Sequence, residues 1–419
     1  MSVLSKKWKY INEGNVHIVL CVIDTNYVIR LIKEDGNMTK METIRNSVDF
    51  VNLVMIPLLF GKRVYNEEII QLPIEDVAEL SEKLSNIRPK HRQVKSIFSH
   101  FAIKAPNLTT ISNNCENYCL EIKPKEGFIC RHFKRYQKCY YCLKQFLKLQ
   151  EKQIDGISNY CPLDLFSGEK TRMKRALLNL IQNPQNNFKL FKDGNIIYSE
   201  KSKIDFEMLI TKLPIFRSIN IFLDFIIDIL LSDGTSSIIL NESDGEINLK
   251  TGKCYEDSNL KPNSFLNKLL TLQKLSETFN LDLINKNEDY EYVSKLLNDM
   301  KELNMDLSKS DDREKFLGTI NPKYLVLISA VAKDCSIMIC FSPNSHQSYS
   351  SVKIGDKSLS YKLSVTDLEP KSIKSLTKRK NTEKKLIQLY EKMNGKIVIN
   401  STAFRNPSQT IRSVAAIDC

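Results

Sequence analysis

Two β-rich runs, Ile18 to Val22 and Tyr27 to Ile32, flank the turn-forming cluster Asp24-Thr25-Asn26. A link this short joins antiparallel neighbours, so the chain is expected to open with a hairpin. Apolar residues then recur at helical spacing over Met41 to Leu59 and Ile74 to Leu84, which makes this first part α+β. Ahead of the hairpin, Asn12-Glu13-Gly14-Asn15 holds one glycine. Backbone N–H groups can approach a phosphate there, and an ordinary turn would use the same residues.

Beyond Leu163 helical patterns dominate, over Arg172 to Ile181, Phe206 to Leu213, Phe222 to Leu231, Phe265 to Phe279 and Tyr292 to Leu303. Lys323 to Ala330 and Cys335 to Phe341 then read as β-rich runs, with Lys362 to Val365 as a third. Segments 233–262 and 304–320, rich in Ser, Asp, Asn and Gly, read as surface loops. Pro106-Asn107-Leu108 reads as a connector between two lobes. The 419 residues, 42% of them hydrophobic, suffice for two or three cores.

Sixty-one basic residues against 49 acidic ones give a formal charge of +12. That balance favours a polyanionic partner: nucleic acid, an acidic membrane surface or a heavily phosphorylated small molecule. A bilayer span needs about 20 apolar residues, and Ile219 to Leu231 is interrupted by Asp224 and Asp228, so it reads as a buried helix and no membrane is expected. Early lysines without a following apolar stretch argue against secretion. Eleven irregularly spaced cysteines read as reduced thiols of an intracellular protein, nuclear or cytoplasmic or both. Lys378-Arg379-Lys380 and Lys384-Lys385 suit either nuclear entry or a basic face.

Four segments carry candidate chemistry. Glu121-Ile122-Lys123-Pro124-Lys125-Glu126-Gly127-Phe128 places two lysines two residues apart behind an apolar run; on a strand they would project the same way, as paired charges for phosphate oxygens. Asp334 stands between two β-rich runs, as a cleft carboxylate or a turn cap. Asp367-Leu368-Glu369-Pro370-Lys371 offers two carboxylates to a hard cation, or is a solvated acidic turn. Cys130-x-His132 and Cys139-x2-Cys142 supply four potential zinc ligands. Because the Cys-x-His half is unusual and Cys142 opens a helical pattern with Phe146 and Leu149, a structural zinc is not expected.

With Tyr160-Cys161-Pro162-Leu163-Asp164-Leu165-Phe166-Ser167-Gly168, the first three of these segments resemble the inositol-pentakisphosphate 2-kinase family, through its E-I-K-P-K, K-D-C-S and D-L-D-x-K motifs. Glu369 replaces the second aspartate of the last motif. The resemblance implies an α/β (α+β) two-lobed inositol polyphosphate kinase. Its N-lobe, residues 1–105, is an antiparallel sheet with helices, joined by a hinge at 106–110 to a larger helix-rich C-lobe at 111–419. It also implies transfer of the γ-phosphoryl group of ATP to the 2-hydroxyl of inositol 1,3,4,5,6-pentakisphosphate, giving inositol hexakisphosphate and ADP, by a monomer using Mg2+.

Residue by residue, the resemblance makes Asp334 the base, supported by Lys333, and lets Lys123 reach the transferred group. It also implies that Glu121 lies near the nucleotide. Gly14 and Asn15 match the end of the nucleotide loop, whose earlier glycine is replaced here by Ile11-Asn12. Arg30, in Arg30-Leu31-Ile32-Lys33, is expected on ATP phosphates, and Asn107 on adenine. Arg92 of Arg88-Pro89-Lys90-His91-Arg92, Lys125, Asn186 and Lys189 of Gln185-Asn186-Asn187-Phe188-Lys189, and Lys371 are expected on substrate phosphates. Lys374, Lys378 and Arg379 continue that basic face, and Asp367 is the magnesium ligand. The competing reading, a basic nucleic-acid-binding protein with zinc at Cys130 to Cys142, explains the charge but leaves Asp334 and Asp367 without a task.

Overall fold

Alternation sets the first sheet. In the strand His17–Val22, Ile18, Leu20 and Val22 are buried while their neighbours are half-exposed, so one face meets a core. The computed structural model describes residues 3–34, 38–213, 215–240, 256–278, 291–343, 346 and 348–401. Its strands are β1 (Trp8–Glu13), β2 (His17–Val22), β3 (Tyr27–Glu34), β4 (Glu68–Gln71), β5 (Ser96–Pro106) and β6 (Tyr118–Ile122). They continue with β7 (Phe188–Lys192), β8 (Asn195–Tyr198), β9 (Ile238–Ile239), β10 (Ser336–Ser342), β11 (Ser350–Ile354) and β12 (Lys357–Thr366).

The first sheet has the order β1-β2-β3-β5-β4 and is antiparallel throughout, with β2 and β3 forming the expected hairpin. Helix Ile74–Ser85 covers one face, packing Val77, Leu80 and Leu84 against Ile18, Leu20, Ile29 and Leu31. The second sheet, β8-β7-β6-β10-β12-β11-β9, is antiparallel except for the β9–β11 pair. Helices Lys170–Gln182, Ile219–Leu231 and Phe265–Lys274 pack with it into the larger core. An antiparallel sheet with helices beside a larger, helix-rich part with its own sheet is the α/β (α+β) class expected.

Helix Met41–Phe60 runs between the two parts. Ile44 and Val48 pack with Ile32 and Ile103 of the first sheet, whereas Phe50 to Phe60 enter the larger core, with Phe60 stacked on Phe265. Pro57 has no N–H for the ladder, and the turns just before it, Phe50–Met55, widen into a π-helical segment. Length and composition alone would let this helix cross a bilayer; burial in two cores is the reason for its apolarity. Ile219–Leu231 is likewise a core helix, its Asp224 paired with Lys174 at 2.9 Å.

Two expectations are corrected. The run Lys323 to Ala330 lies in a helix, Pro322–Ala332, and not in a strand. Asn321 caps it by accepting from the Lys323 N–H, Pro322 occupies its first turn, and Tyr324 to Ser329 are all buried, so no amphipathic period shows in the sequence. The expected loop 304–320 contains helix Ser310–Thr319, which buries Phe316. The helix expected over Phe265 to Phe279 is observed as Phe265–Lys274 followed by a 3-10 turn, Leu275–Thr278; Phe279, and residues 241–255 of the loop expected at 233–262, lie outside the described residues.

Candidate active site

Register alone gathers the candidate segments. Ile122 of β6 lies opposite Phe188 of β7 and Ile337 of β10, and Ser336 lies opposite Thr366 of β12. One end of the second sheet therefore presents the residues after Ile122, before Phe188, before Ser336 and after Thr366. Asp334 occupies the turn from helix Pro322–Ala332 into β10, and Asp367 the exit of β12.

The strand carrying the paired lysines stops at Ile122. Lys123 N–H still donates to Asn187 (2.9 Å), but Pro124 has no donor, and Lys125 adopts φ +59°. The turn is braced from below: Tyr160 donates to the Pro124 carbonyl (2.6 Å), and Gln273 accepts from Gly127 N–H (2.9 Å) while donating to the Lys125 carbonyl (2.8 Å). A Cβ on Gly127 would stand 2.2 Å from the Phe166 ring, so only glycine fits. The lysines consequently face different carboxylates. Lys123 Nζ is 3.6 Å from Asp367, whereas Lys125 Nζ is 3.8 Å from Asp334, which Lys371 approaches to 3.2 Å.

Two cavities meet at this turn. A cleft of 1460 Å³ is lined by Gly14, Asn107, Glu121, Lys123 and Asp367, together with Arg92, Asn186 and Lys189. A second cavity of 1080 Å³ is lined by Lys125, Lys333, Asp334, Lys371, Lys378 and Arg379. Lys144 and Lys148 also line it, and sequence reasoning missed both. They stand four residues apart on helix Tyr140–Gln150, and that spacing was the available signal, since it puts two cations on one face.

Asn15 is held by Arg92, which donates to its side-chain oxygen at 3.1 Å. Arg30 is buried in an ion-pair cluster with Glu67 and Glu369, and His17 lies 3.8 Å from Glu369. Glu369 is thus turned toward Arg30 and away from a cation beside Asp367. Lys189 donates to Glu121 at 2.9 Å across the β6–β7 pair.

Three of the site residues carry positive φ: Lys125 (+59°), Asn186 (+62°) and Asp367 (+65°). Such backbone is common for asparagine but costly for lysine, and it persists where the surroundings over-determine it. Burial would raise the Asp334 carboxyl, but Lys371 and Lys125 outweigh it and hold the group below the usual range. Burial also brings Lys125 down to about 8, against the pull of Asp334 and with Lys123, Lys144 and Lys148 crowding it. A polyanion in the second cavity should restore the charge of Lys125. Binding is therefore expected to take up a proton near pH 8 and to weaken as pH rises from about 8 toward the ordinary lysine value. Calorimetry of inositol phosphate binding in buffers of different ionisation enthalpy measures this, and binding with no proton uptake at pH 8 would refute it.

Asp367 and Glu121 both lie within reach of the Ser336 hydroxyl, at 3.1 and 3.3 Å, so two carboxylates converge at the wall of the cleft. This oxygen-rich set fits a hard cation such as Mg2+. The four ligands considered for zinc are not assembled. Cys139 and Cys142 lie instead with Cys161, the three sulfurs within 4.8 Å of one another, and among the described residues no fourth His, Cys, Asp or Glu joins them. His132 is exposed, and Cys130 is buried in the wall of the second cavity.

The family model for inositol-pentakisphosphate 2-kinase matches residues 10–385, nearly the whole described chain. The chain belongs to that family. An inositol-pentakisphosphate 2-kinase of Danio rerio is 30% identical over 91% of this chain and 92% of its own length. One from Arabidopsis thaliana is 27% identical over 82% of this chain and 76% of its own, and one from Drosophila melanogaster matches a shorter stretch, 18% of this chain, at 41%. The protein is accordingly a kinase of inositol phosphate metabolism.

Proposed function

We propose that this kinase transfers the γ-phosphoryl group of ATP to the 2-hydroxyl of inositol 1,3,4,5,6-pentakisphosphate, yielding inositol hexakisphosphate and ADP. The observation that carries the reading is the turn at Lys123-Pro124-Lys125, which turns Lys123 toward Asp367 in one cavity and Lys125 toward Asp334 in the adjoining one. ATP takes the cleft beside Gly14 and Asn107, and the pentakisphosphate takes the second, lysine-rich cavity, where each phosphate needs a charged or hydrogen-bonding partner.

Asp334 is the proton acceptor for the attacking hydroxyl. Lys371 and Lys125 hold its basicity down; substrate phosphates draw those cations away and make the carboxylate a stronger base when the hydroxyl is in place. Lys123 offsets charge developing on the transferred group. Asp367, with Glu121 beside it, holds Mg2+, which when bound neutralises phosphate oxygens of the nucleotide. Arg92, Asn186 and Lys189 line the cleft given to ATP; in this reading they take those substrate phosphates that extend from the lysine-rich cavity toward the nucleotide.

The test is incubation of the purified protein with Mg-ATP and the pentakisphosphate, following inositol hexakisphosphate by anion-exchange chromatography or 31P NMR. Stoichiometric hexakisphosphate and ADP are expected. Tight oligonucleotide binding with no phosphoryl transfer would favour the nucleic-acid reading instead.

A further inference from the structure

Gln273, in the last turn of helix Phe265–Lys274, is wholly buried, and its side-chain amide lies between two turns of the larger core. A carboxamide has two N–H donors and one oxygen, and here all of them are used. The oxygen accepts from the Gly127 N–H at 2.9 Å, and Nε2 donates to the carbonyls of Lys125 at 2.8 Å and Ala332 at 3.1 Å. Turned over, the amide would set its NH2 against the Gly127 N–H and its oxygen against two carbonyls. Its orientation is therefore fixed.

Both turns carry chemistry. Lys125 stands at φ +59°, a backbone that persists on a lysine only where the surroundings impose it. Ala332 ends helix Pro322–Ala332, whose last carbonyls have no partner within the helix, and Asp334 follows two residues later. Two further contacts keep the helix of Gln273 from sliding past the helix that delivers Asp334. The Ser329 hydroxyl donates to the Gln273 main-chain carbonyl at 2.6 Å, and Lys333 Nζ donates to the Ser276 hydroxyl at 2.6 Å. One amide is thus the shared support of Lys125 and Asp334, whose charged atoms stand 3.8 Å apart in the second cavity.

We propose that Gln273 is a positioning residue for the transfer: its amide ties the turn of Lys125 to the turn of Asp334 and so sets the spacing between the lysine that grips the acceptor and the base that deprotonates it. The inference rests on reading the second cavity as the inositol phosphate site. Gln273 lines neither cavity and touches no substrate, so it acts through the two backbones it joins. Without the amide, the Gly127 N–H and the Lys125 carbonyl lose a buried partner, and the turn recovers one only by moving. A displacement of that kind misaligns base and hydroxyl without touching the nucleotide cleft.

The experiment compares the parent with Gln273→Met, which is close in length but cannot replace the three hydrogen bonds, each with and without Lys125→Ala. Turnover is measured at saturating substrates, and calorimetry measures binding of inositol 1,3,4,5,6-pentakisphosphate and, separately, of a magnesium-bound non-hydrolysable ATP analogue. Gln273→Met should lower turnover and pentakisphosphate affinity about tenfold or more each, while the nucleotide analogue binds within about twofold of the parent. On the Lys125→Ala background the same change should cost no more than about twofold in pentakisphosphate affinity, because it acts through Lys125. Equal losses for both ligands, or undiminished losses on the Lys125→Ala background, are what general damage to the fold would give, and either overturns the proposal. Parent-like turnover and binding in a folded variant overturn it too. Should Gln273→Met fail to fold, Gln273→Glu, which keeps the shape and the acceptor for Gly127, decides by the same comparison. A parent that cannot phosphorylate the pentakisphosphate refutes the reading of the cavity; an active parent with unaffected variants refutes only the role of Gln273.

Discussion

Asp334→Asn is expected to lower turnover about a hundredfold or more while leaving inositol phosphate binding unchanged or tighter. The carboxylate lies within 3.2 Å of Lys371 and 3.8 Å of Lys125 and lines the second cavity. Nothing in the hydrophobic core depends on it, so the amide should fold as the parent does. What it loses is basicity at the place where the hydroxyl must give up its proton. The substitution also removes a negative charge from a cavity meant for phosphates and frees two lysines, so affinity should not fall. Steady-state kinetics with a thermal melt check both halves, and near-parent turnover in a folded variant would exclude Asp334 as the base.

Asp367→Asn should produce the second large effect, by a different route. Asparagine tolerates the +65° φ at this position better than almost any other residue, so backbone strain does not rise. The loss is one unit of negative charge opposite the cation, with Lys123 left 3.6 Å away and less well balanced. The magnesium concentration needed for half-maximal activity should rise about tenfold or more, with inositol phosphate affinity little altered. A magnesium titration superimposable on that of the parent would show that Asp367 does not face the metal.

Residues that line the two cavities were easier to mark in the sequence than the backbone that carries them. The hairpin was legible because Asp24-Thr25-Asn26 marks a turn between alternating runs. Helix Pro322–Ala332 was not, because a helix buried on every side shows no 3.6 period and its Val and Ile content resembles a strand; Asn321-Pro322 was the overlooked start signal. The Lys123–Lys125 pair lines the two cavities, yet the expected common direction failed because Pro124 ends the ladder and Lys125 turns to positive φ. The Arg30 cluster could not be read at all. Its partner Glu369 is 339 residues away in the chain, and no local pattern encodes such a meeting.

Helix Met41–Phe60 gives the molecule a mechanical property that neither sheet has alone. Its first two turns are a component of one core and its last three of the other, and a helix this short is stiff over its whole length. Melting the first sheet exposes Ile44 and Val48 and frays the same rod whose Phe50, Val54, Met55 and Phe60 are keyed into the larger core, so the loss of order propagates from one to the other. The two cores are therefore expected to unfold in heat or denaturant as one cooperative unit, which a single transition in a thermal melt would show.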